Sequence, residues 1–269
     1  MRLALIVTTY ERPDALARVL ETVARQSVAP DELLVADDGS GPATGEVVAG
    51  FKSGAAFPVR HVWLPHDGYR VGRMRNRAIA ASDADFIVIV DGDMLLHPDF
   101  IADHRRAARP GRYLQGCRIP LDEQATAHAL ASGETPRWTS RGLGVRRRLY
   151  ALHSPAASRW CGGIANGLLS IKGCNQGFWR SDLLAANGFD ESLAGWGSED
   201  KECCARLENA GLRRRSILFG AVAFHLHHPA ADRSAHARNT AAVAATRTSG
   251  RTRCDHGIVS PPGAARPQA

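Results

Sequence analysis

Phe-Ile-Val-Ile-Val-Asp-Gly-Asp, at residues 86–93, predicts a buried β-strand that runs into two carboxylates. Its five apolar residues are β-branched or aromatic and do not alternate with polar ones, which is typical of a strand covered on both faces. Open α/β sheets bind ligands beyond the carboxyl ends of their strands. In proteins, Mg²⁺ and Mn²⁺ prefer carboxylate oxygens and usually share them with a substrate's phosphates. This segment therefore indicates a metal site and a phosphate-bearing substrate.

The sequence before this strand alternates between strands and helices. Leu3 to Val7 predicts a first strand, Pro13 opens a helix, and Leu33 to Ala36 predicts the next strand. Such a unit almost always crosses over right-handed and makes its two strands parallel. A third strand is predicted at 59–64 and a helix at 74–81. This alternation is the signature of a Rossmann-like nucleotide-binding half, with a mostly parallel sheet flanked by helices.

The sequence after residue 109 is less regular. Residues 110–167 are rich in Gly, Pro, Ser and Arg and predict loops and short helices, as substrate-facing segments often have. Four further elements are predicted: a strand at 168–175, a helix at 182–186, a helix that follows residue 200 and ends near Gly211, and a strand at 217–227. Residues 229–269 contain few large apolar side chains, so we expect a disordered tail apart from a short helix near Ala241.

The composition of the chain indicates an ordinary water-soluble protein with one large domain. Of its 269 residues, 44% are hydrophobic and 23% are charged, and the net charge is +7. Six arginines and two aspartates give residues 229–269 a charge of +4, so +3 belongs to the rest. Residues 1–228 are so close to neutral that nucleic acid is not expected as a partner, but peripheral contact with an anionic inner membrane is permitted. No run reaches the roughly 20 apolar residues that span a bilayer, and the scattered cysteines favour reduced thiols, so we expect a cytoplasmic protein.

Three acidic clusters lie at or after predicted elements, at Asp37-Asp38, at Asp91-Gly92-Asp93 and at Glu199-Asp200. In a parallel sheet all three would meet at one edge. The first cluster is also ordinary turn chemistry, and the third is also the acidic first turn of a helix. The second is harder to explain without a ligand, because two neighbouring carboxylates repel each other unless a positive charge lies between them.

Histidines and arginines supply candidates for that positive charge or for metal binding. His225 and His227 share one face of the last predicted strand, and two histidines at a strand end favour a metal ligand over a satisfied core residue. Arg73, Arg75 and Arg77 either bind a diphosphate or form a solvated helix face.

The order of these motifs resembles that of the family 2 glycosyltransferases, which have the GT-A fold. Single motifs are weak, but the series together is specific. The resemblance covers roughly residues 1–228, as one domain with a nucleotide-sugar half at 1–109 and an acceptor half at 110–228. The matching segments are Thr8-Thr9-Tyr10-Glu11-Arg12-Pro13, Asp37-Asp38-Gly39-Ser40, Gly72-x-x-Arg75-Asn76, Asp91-Gly92-Asp93, Gly195-Trp196-Gly197-Ser198-Glu199-Asp200 and His225.

The segment from Trp196 to Asp200 is also similar to one in β-1,4-galactosyltransferases and in chondroitin-type polymerases. That similarity favours transfer of galactose or N-acetylhexosamine. Lys201 departs from the galactosyltransferase pattern, which continues with a further carboxylate. This departure bears on the predicted acceptor binding more than on the predicted catalysis.

The resemblance implies an inverting transfer from a UDP-sugar to a saccharide or lipid-linked saccharide in bacterial surface glycan synthesis, with Mn²⁺ or Mg²⁺ as cofactor. Asp93 would bind the cation together with His225 or His227. Asp200 would be the catalytic base, although a helix N-terminus lowers its basicity. The donor would contact Thr8, Tyr10, Glu11, Asp38, Arg73, Asn76 and Asp91, and the acceptor would contact Trp196, Gly197 and Glu199.

Two other functions stay open at the level of sequence. A haloacid-dehalogenase-type phosphatase also places Asp-x-Asp after an apolar strand, but it needs Thr or Val next, where this chain has Met94. A non-catalytic nucleotide-sugar-binding module would have the same site without turnover. Nucleotidyltransferases and dehydrogenases fit less well, because the sequence has no Gly-rich basic loop after the first strand and no Gly-x-Gly-x-x-Gly.

Overall fold

The computed structural model describes residues 1–143, 145–168, 170–229 and 232–259. Within these residues there are ten strands: β1 (Leu3–Thr9), β2 (Glu32–Asp37), β3 (Val59–Trp63), β4 (Phe86–Asp91), β5 (Met94–Leu96), β6 (Arg112–Gln115), β7 (Ile119–Pro120), β8 (Asn175–Trp179), β9 (Arg213–Ser216) and β10 (Ala223–His225). The same residues form ten helices: α1 (Pro13–Ala24), α2 (Pro42–Gly54), α3 (Val71–Ala81), α4 (Phe100–Ala107), α5 (Glu123–Ser132), α6 (Val145–Tyr150), α7 (Pro155–Leu168), α8 (Arg180–Ala185), α9 (Glu199–Asn209) and α10 (His236–Ser249).

The strand predicted from residues 86–90 lies in the middle of the main sheet, whose order is β3-β2-β1-β4-β8-β6-β9. Phe86, Val88 and Val90 belong to one hydrophobic cluster, and Ile87 and Ile89 belong to the cluster on the other face. All five side chains are fully buried. Helices and loops therefore cover both faces of β4, which is why its sequence does not alternate.

The carboxyl ends of four parallel strands meet at one edge of this sheet. β1 pairs in parallel with β2 and β4, and β2 pairs in parallel with β3. The register sets Thr8 opposite Asp91 and Thr9 opposite Asp37. β8 runs antiparallel to β4 and β6, so strands from the second half of the chain complete the sheet. The mostly parallel α/β architecture is confirmed.

A second sheet of three strands, in the order β5-β10-β7, brings the end of the chain's second half to the Asp-Gly-Asp turn. β10 runs antiparallel to β5, with His225 opposite Met94. The backbone N–H of Leu226 donates to the carbonyl oxygen of Asp93 at 2.9 Å. This pairing positions the histidines that follow Phe224 beside Asp93.

Two strands of the second half differ from their predicted extents. The strand expected at 168–175 begins only at Asn175, and residues 170–174 are a loop. The strand expected at 217–227 is interrupted, because Phe219 and Ala221 have positive φ angles of 63° and 45°. Such angles lie outside the β region, so the pairing stops at Ser216 and resumes at Ala223.

The prediction of a disordered tail is wrong for residues 232–259, which fold onto the domain. α10 packs against α9. Arg251 donates to Glu202 at 2.8 Å and to Asp190 at 3.3 Å, and the Asn187 amide donates to the carbonyl oxygens of Cys254 and Val259 at 2.9 Å each. Composition was misleading because this segment builds no core of its own. It buries Val243 and Cys254 and packs Ile258 against a hydrophobic cluster of the domain, in addition to these polar contacts. Residues 260–269 lie outside the described residues.

Two further observations bear on the surroundings of the protein. All six cysteines are free thiols, as their spacing predicts. Among the described residues, no helix combines the length and the apolar character that crossing a bilayer requires.

Candidate active site

A cleft of about 1220 Å³ opens at the carboxyl edge of the main sheet. Members of all three acidic clusters line it, so their predicted meeting at one edge is confirmed. The lining carboxylates are Asp38, Asp91, Asp93, Glu199 and Asp200, and the lining lysines and arginines are Arg12, Arg75, Arg118, Lys172, Lys201 and Arg233. A cleft with both kinds of charge suits a substrate that carries phosphates and a reaction that moves a proton.

Two partners fix Asp91 at the end of β4. The Thr8 hydroxyl and the Arg75 Nη2 both donate to its Oδ1, at 3.0 and 3.2 Å. Gly92 then turns the chain tightly against β1: a Cβ added there would lie 2.7 Å from the carbonyl oxygen of Thr8. Only glycine allows this approach. The turn therefore separates Asp91, whose Oδ1 accepts two hydrogen bonds, from Asp93, whose Oδ1 has no hydrogen-bond partner among the described residues.

Asp93 lies beside two imidazoles and one guanidinium. Its Oδ2 is 3.5 Å from the His225 Nε2, 3.4 Å from the His228 Nε2 and 3.8 Å from the Arg12 Nη1. Its Oδ1 is buried without a hydrogen-bond partner among the described residues. Burial and the neighbouring Asp91 raise the pKa of Asp93 to about 6, and burial lowers the pKa of His225 to about 4. A carboxylate with an unsatisfied oxygen next to imidazoles fits a divalent cation such as Mn²⁺.

The structure brings His228 to Asp93 in place of the predicted His227. The His227 Nδ1 is 3.8 Å from the Glu123 Oε1 instead, and its side chain is 43% exposed. The prediction assumed that strand alternation continues to residue 227. β10 ends at His225, and the chain then turns so that the His225 and His228 rings lie 5.0 Å apart.

Arg75 connects the two acidic clusters across the cleft, a role that sequence reasoning missed. Its side chain is 2% exposed, and its Nη1 donates to the Glu199 Oε1 at 3.0 Å while its Nη2 reaches Asp91. Burial alone lowers the pKa of Arg75, but Glu199 and Asp91 outweigh it and raise the pKa. The available signal was its position in the Gly72-x-x-Arg75-Asn76 motif. Arg75 neutralises one carboxylate on each side of the cleft.

Asp200 is the carboxylate at this end of the cleft that Arg75 does not bind directly. The Lys201 N–H donates to its Oδ1 at 2.8 Å, and the residue is 7% exposed. Burial raises the pKa of Asp200, opposed by Arg75, and burial together with Asp200 raises the pKa of Glu199 to about 7. The pKa of Asp200 is therefore raised, with burial as the largest cause, and not lowered as its place at a helix N-terminus suggested.

Trp196 and Gly197 line the cleft next to Asp200. The Arg233 guanidinium lies 5.2 Å from the centre of the Trp196 ring, and the His236 ring lies 5.6 Å from it. Gly197 has a φ of 100°, which favours glycine and shapes the turn into α9. Both basic residues come from the segment that was predicted to be disordered, so the folded tail contributes to this wall.

Thr8, Tyr10 and Asp38, which were predicted to contact the donor, also line the cleft. The Tyr10 ring stacks on His66 at 4.2 Å, and the His66 Nδ1 lies 3.2 Å from the Asp38 Oδ2. Burial raises the pKa of Asp38, while His66 opposes the shift. A flat ring beside a hydrogen-bonding carboxylate suits a nucleobase and its ribose. His66 was not predicted.

Three predicted donor contacts are not among the residues that line the cleft: Glu11, Arg73 and Asn76. The Glu11 Oε1 accepts a hydrogen bond from the Gly41 N–H at 2.8 Å, and the buried Asn76 amide donates to the Phe189 carbonyl at 2.8 Å. On α3, residues 73 and 76 lie about 200° and 100° around the axis from Arg75, so only one of the three faces the cleft.

Two further basic residues of the cleft, Arg118 and Lys172, precede β7 and β8 in segments that carried no motif. Burial and the neighbouring Arg118 lower the pKa of Lys172. Arg118 also acts on His225 and on Asp93 through its charge. Both residues line the same cleft as Asp93.

The sequence model described as Glycosyl transferase family 2 matches residues 4–151, which is more than half of the chain. The chain belongs to glycosyl transferase family 2. A second model, described as the N-terminal domain of galactosyltransferase, matches residues 163–229 of this family 2 protein. That region contains Trp196 and Asp200, so the resemblance of the second half to galactosyltransferases is confirmed. The phosphatase hypothesis loses its support, since Asp91 and Asp93 follow the fourth strand and the family is different.

Curated relatives of this family 2 chain are longer proteins. It is 29% identical over 234 residues to validoxylamine A glucosyltransferase of Streptomyces hygroscopicus subsp. limoneus, covering 78% of this chain and 48% of the relative. It is 25% identical over 245 residues to chondroitin synthase of Escherichia coli, covering 84% of this chain and 35% of the relative. The chain thus spans about half, or less, of the length of these relatives.

Solved structures share the GT-A fold of this chain. S. aureus TarS superimposes with a TM-score of 0.64 at 16% identity, covering 91% of this chain and 39% of TarS. The mannosyltransferase PcManGT from Pyrobaculum calidifontis, solved with GDP-Man and Mn²⁺, gives a TM-score of 0.57 at 17% identity, covering 88% of this chain and 59% of that protein. The GT-A fold predicted from the motif series is confirmed.

Proposed function

We propose that this protein transfers a sugar, with inversion, from a UDP-sugar to a saccharide hydroxyl, with Asp200 as the base and a divalent cation at Asp93. The observation that carries the proposal is that Arg75 pairs with one carboxylate of each of two acidic clusters. This arginine engages Asp91 and Glu199. The second carboxylate of each cluster is left for chemistry: Asp93 for a cation and Asp200 for a proton.

The donor end supports a nucleotide sugar. Tyr10 and His66 offer stacked rings, Asp38 offers an acceptor for uracil or ribose, and Thr8 fixes Asp91 next to the ribose position. A structure of TarS contains UDP-GlcNAc, which is consistent with a UDP donor for this fold. Arg118 and Lys172 would hold the diphosphate through charge-assisted hydrogen bonds.

Asp93, His225 and His228 would hold Mn²⁺ or Mg²⁺, and the imidazoles favour Mn²⁺. A bound divalent cation would act as a Lewis acid that stabilises the charge of the departing diphosphate. Arg12, at 3.8 Å from Asp93, adds positive charge on the same side.

The acceptor end supports a saccharide. A sugar hydroxyl becomes a better nucleophile when a carboxylate removes its proton during attack on the anomeric carbon, and Asp200 is the carboxylate at this end that Arg75 does not bind directly. Its raised pKa makes it a stronger base than an exposed aspartate. Trp196 would stack on the acceptor ring, and Gly197 and Glu199 would line its polar edge.

The finer assignments follow the galactosyltransferase-like second half. Galactose or N-acetylhexosamine is the favoured sugar, and chondroitin synthase among the relatives agrees with this choice. We place the acceptor, free or lipid-linked, in bacterial surface glycan synthesis on the cytoplasmic side of the inner membrane, where the basic residues permit peripheral contact. Nucleic acid is not expected as a partner.

Incubation of the full chain with a panel of nucleotide sugars, saccharide acceptors and Mn²⁺ tests the proposal. We expect UDP release and a glycosylated acceptor with at least one UDP-sugar, and loss of both in Asp200→Asn. Asp83→Asn, an exposed aspartate before β4, is the matched control and should keep full activity. UDP binding without release or transfer across the panel would indicate a binding module. Phosphate release from sugar phosphates would indicate a phosphatase.

A further inference from the structure

A second cluster of metal-ligand side chains lies outside the cleft, where β5 leads into α4 and meets the loop between α6 and α7. One ring nitrogen each of His97 and His153 and one carboxylate oxygen of Asp99 lie within 4.8 Å of one another. The Asp99 Oδ2 is 3.9 Å from the His97 Nδ1 and 3.8 Å from the His153 Nδ1. These three residues are not among those that line the active-site cleft.

The hydrogen bonds of His153 leave its Nδ1 free toward Asp99. Its Nε2 lies 2.8 Å from the Oδ2 of Asp103, a carboxylate whose side chain is 2% exposed. Asp103 also accepts from the Arg106 Nη1 at 2.6 Å and from the Ala221 N–H at 2.8 Å. When His153 is neutral, a carboxylate so placed holds the proton on Nε2 and leaves the lone pair on Nδ1. This carboxylate–histidine arrangement is the one that orients metal-binding histidines in proteins.

The hydrogen bonds of Asp99 leave its Oδ2 free in the same way. The Ser27 hydroxyl donates to the Oδ1 at 2.6 Å, so the second oxygen faces the two imidazoles. The Asp99 N–H donates to the His97 Nδ1 at 3.2 Å, so a cation would have to take the lone pair of this nitrogen from that long hydrogen bond. The His97 and His153 rings lie 4.1 Å apart at 25° to each other. The ring nitrogens of His97 and His153 and the Oδ2 of Asp99, from two separate loops, therefore lie close together.

We propose that His97, Asp99 and His153 bind a Zn²⁺ ion, or a divalent cation of similar ligand preference, with Asp103 as the residue that positions His153. Two imidazoles and one carboxylate are a common three-ligand set for zinc, with water in the fourth position. With bonds of about 2.0–2.1 Å, tetrahedral ligand atoms lie about 3.4 Å apart, so small side-chain rotations close the observed spacing. The ion would tie the loop before α7 to the start of α4, and its binding does not depend on sugar transfer.

Zinc titration of variants that lack the cleft's own metal site tests the proposal. In an Asp93→Ala background, equilibrium dialysis of the full chain against Zn²⁺ alone should give one bound ion. Adding His97→Ala or His153→Gln should weaken that binding at least tenfold. Adding His128→Ala, which removes an exposed histidine on α5, should not change it. Asp103→Asn should weaken binding by about 10- to 100-fold, as loss of an orienting carboxylate does.

Thermal melting provides the second measurement. Zn²⁺ should raise the melting temperature of the Asp93→Ala protein, because a ligand that binds only the folded state stabilises it. The rise should disappear with His97→Ala, whose own fold is checked by circular dichroism without zinc. Absence of a bound ion in the Asp93→Ala protein, or equal zinc binding by the His97→Ala and His128→Ala variants, would overturn the proposal. Neither outcome bears on Mn²⁺-dependent sugar transfer, so the two proposals fail separately.

Discussion

The two ends of the cleft carry the same kind of group, a pair of nearby carboxylates, yet their surroundings differ. Arg75 engages Asp91 at one end and Glu199 at the other. The remaining acid of the first pair, Asp93, faces two imidazoles and has one buried oxygen without a partner among the described residues. The remaining acid of the second pair, Asp200, has a backbone N–H and a lysine as neighbours. On the proposed function, the donor end would therefore take a cation from solution, whereas the acceptor end would need none.

Replacing Asp93 should cause the largest effect and should impair the donor end without changing the acceptor end. We expect Asp93→Ala to lower kcat/KM by about 10⁴-fold, because the leaving diphosphate loses several kcal/mol of charge stabilisation. Excess Mn²⁺ should not restore the rate. Initial rates of UDP release, with Asp83→Ala as control, measure the effect; wild-type rates in the variant would remove Asp93 from the donor site.

Replacing Asp200 should remove the proposed base at the acceptor end without changing the donor end. We expect Asp200→Asn to lower kcat by about 10³-fold, within the range that general-base catalysis contributes. The Mn²⁺ concentration for half-maximal activity should not change, since Asp200 lies with Arg75 and Lys201 and not with Asp93. Residual turnover measured at several Mn²⁺ concentrations checks both expectations. A large shift in the Mn²⁺ requirement would contradict the separation of the two ends.

Replacing Arg75 should disturb both ends and the fold together. Arg75→Met leaves Asp91 and Glu199 near each other without their shared cation, so we expect a loss of about 3–5 kcal/mol in the free energy of unfolding, as for a broken buried ion pair. Arg73→Met, two residues earlier on the same helix, should change stability little. Urea unfolding of the three proteins gives the comparison, and equal stabilities would show that Arg75 does not balance the two clusters.

Comparing two neighbouring histidines sharpens the description of the donor end. His228→Ala should weaken activation by Mn²⁺ by about tenfold, which corresponds to about 1.4 kcal/mol for one weak ligand. His227→Ala should leave activation unchanged, because this side chain lies near Glu123. Mn²⁺ titrations of the rate distinguish the two variants. Weaker activation in His227→Ala with no change in His228→Ala would instead support His227 as the ligand, as strand alternation predicted.

The smallest expected effect concerns the pH dependence at the acceptor end. Asp200 acts as a base only when ionised, and its pKa is raised by burial, so kcat should fall as pH drops through that pKa. Glu199→Gln removes a neighbouring acid from this coupled pair, which lowers the pKa of Asp200, so the acidic limb should move to lower pH. The pH profile of kcat measures this shift. An unmoved limb would mean that Glu199 and Asp200 titrate independently.

The first half of the fold was predictable because its signals are local. Five apolar residues followed by Asp-Gly-Asp define β4 and its turn through burial and glycine geometry alone, and β1 and β2 were predictable in the same way. Parallel pairing then brings Asp38, Asp91 and Asp93 to one edge. Thr8 and Tyr10 followed from the resemblance to a family, and the structure places both in the cleft.

The errors arose where distant segments decide the local structure. His228 replaces His227 because β10 ends at His225, opposite the first residue of its antiparallel partner β5, which strand alternation does not reveal. Arg75, unlike Arg73 or Asn76, faces the cleft because of the way α3 packs on the sheet. The segment 232–259 folds because Arg251 reaches buried Glu202 and Asp190. Amino-acid composition does not predict such specific contacts between distant residues.

Calorimetric titration of UDP, with and without Mn²⁺, into the wild type, Asp93→Ala and Asp200→Asn tests the separation of the two ends most directly. The account predicts that Mn²⁺ strengthens UDP binding to the wild type and to Asp200→Asn by the same factor, and that Asp93→Ala binds UDP weakly with or without the metal. Mn²⁺-enhanced binding that persists in Asp93→Ala, or that disappears in Asp200→Asn, would contradict it.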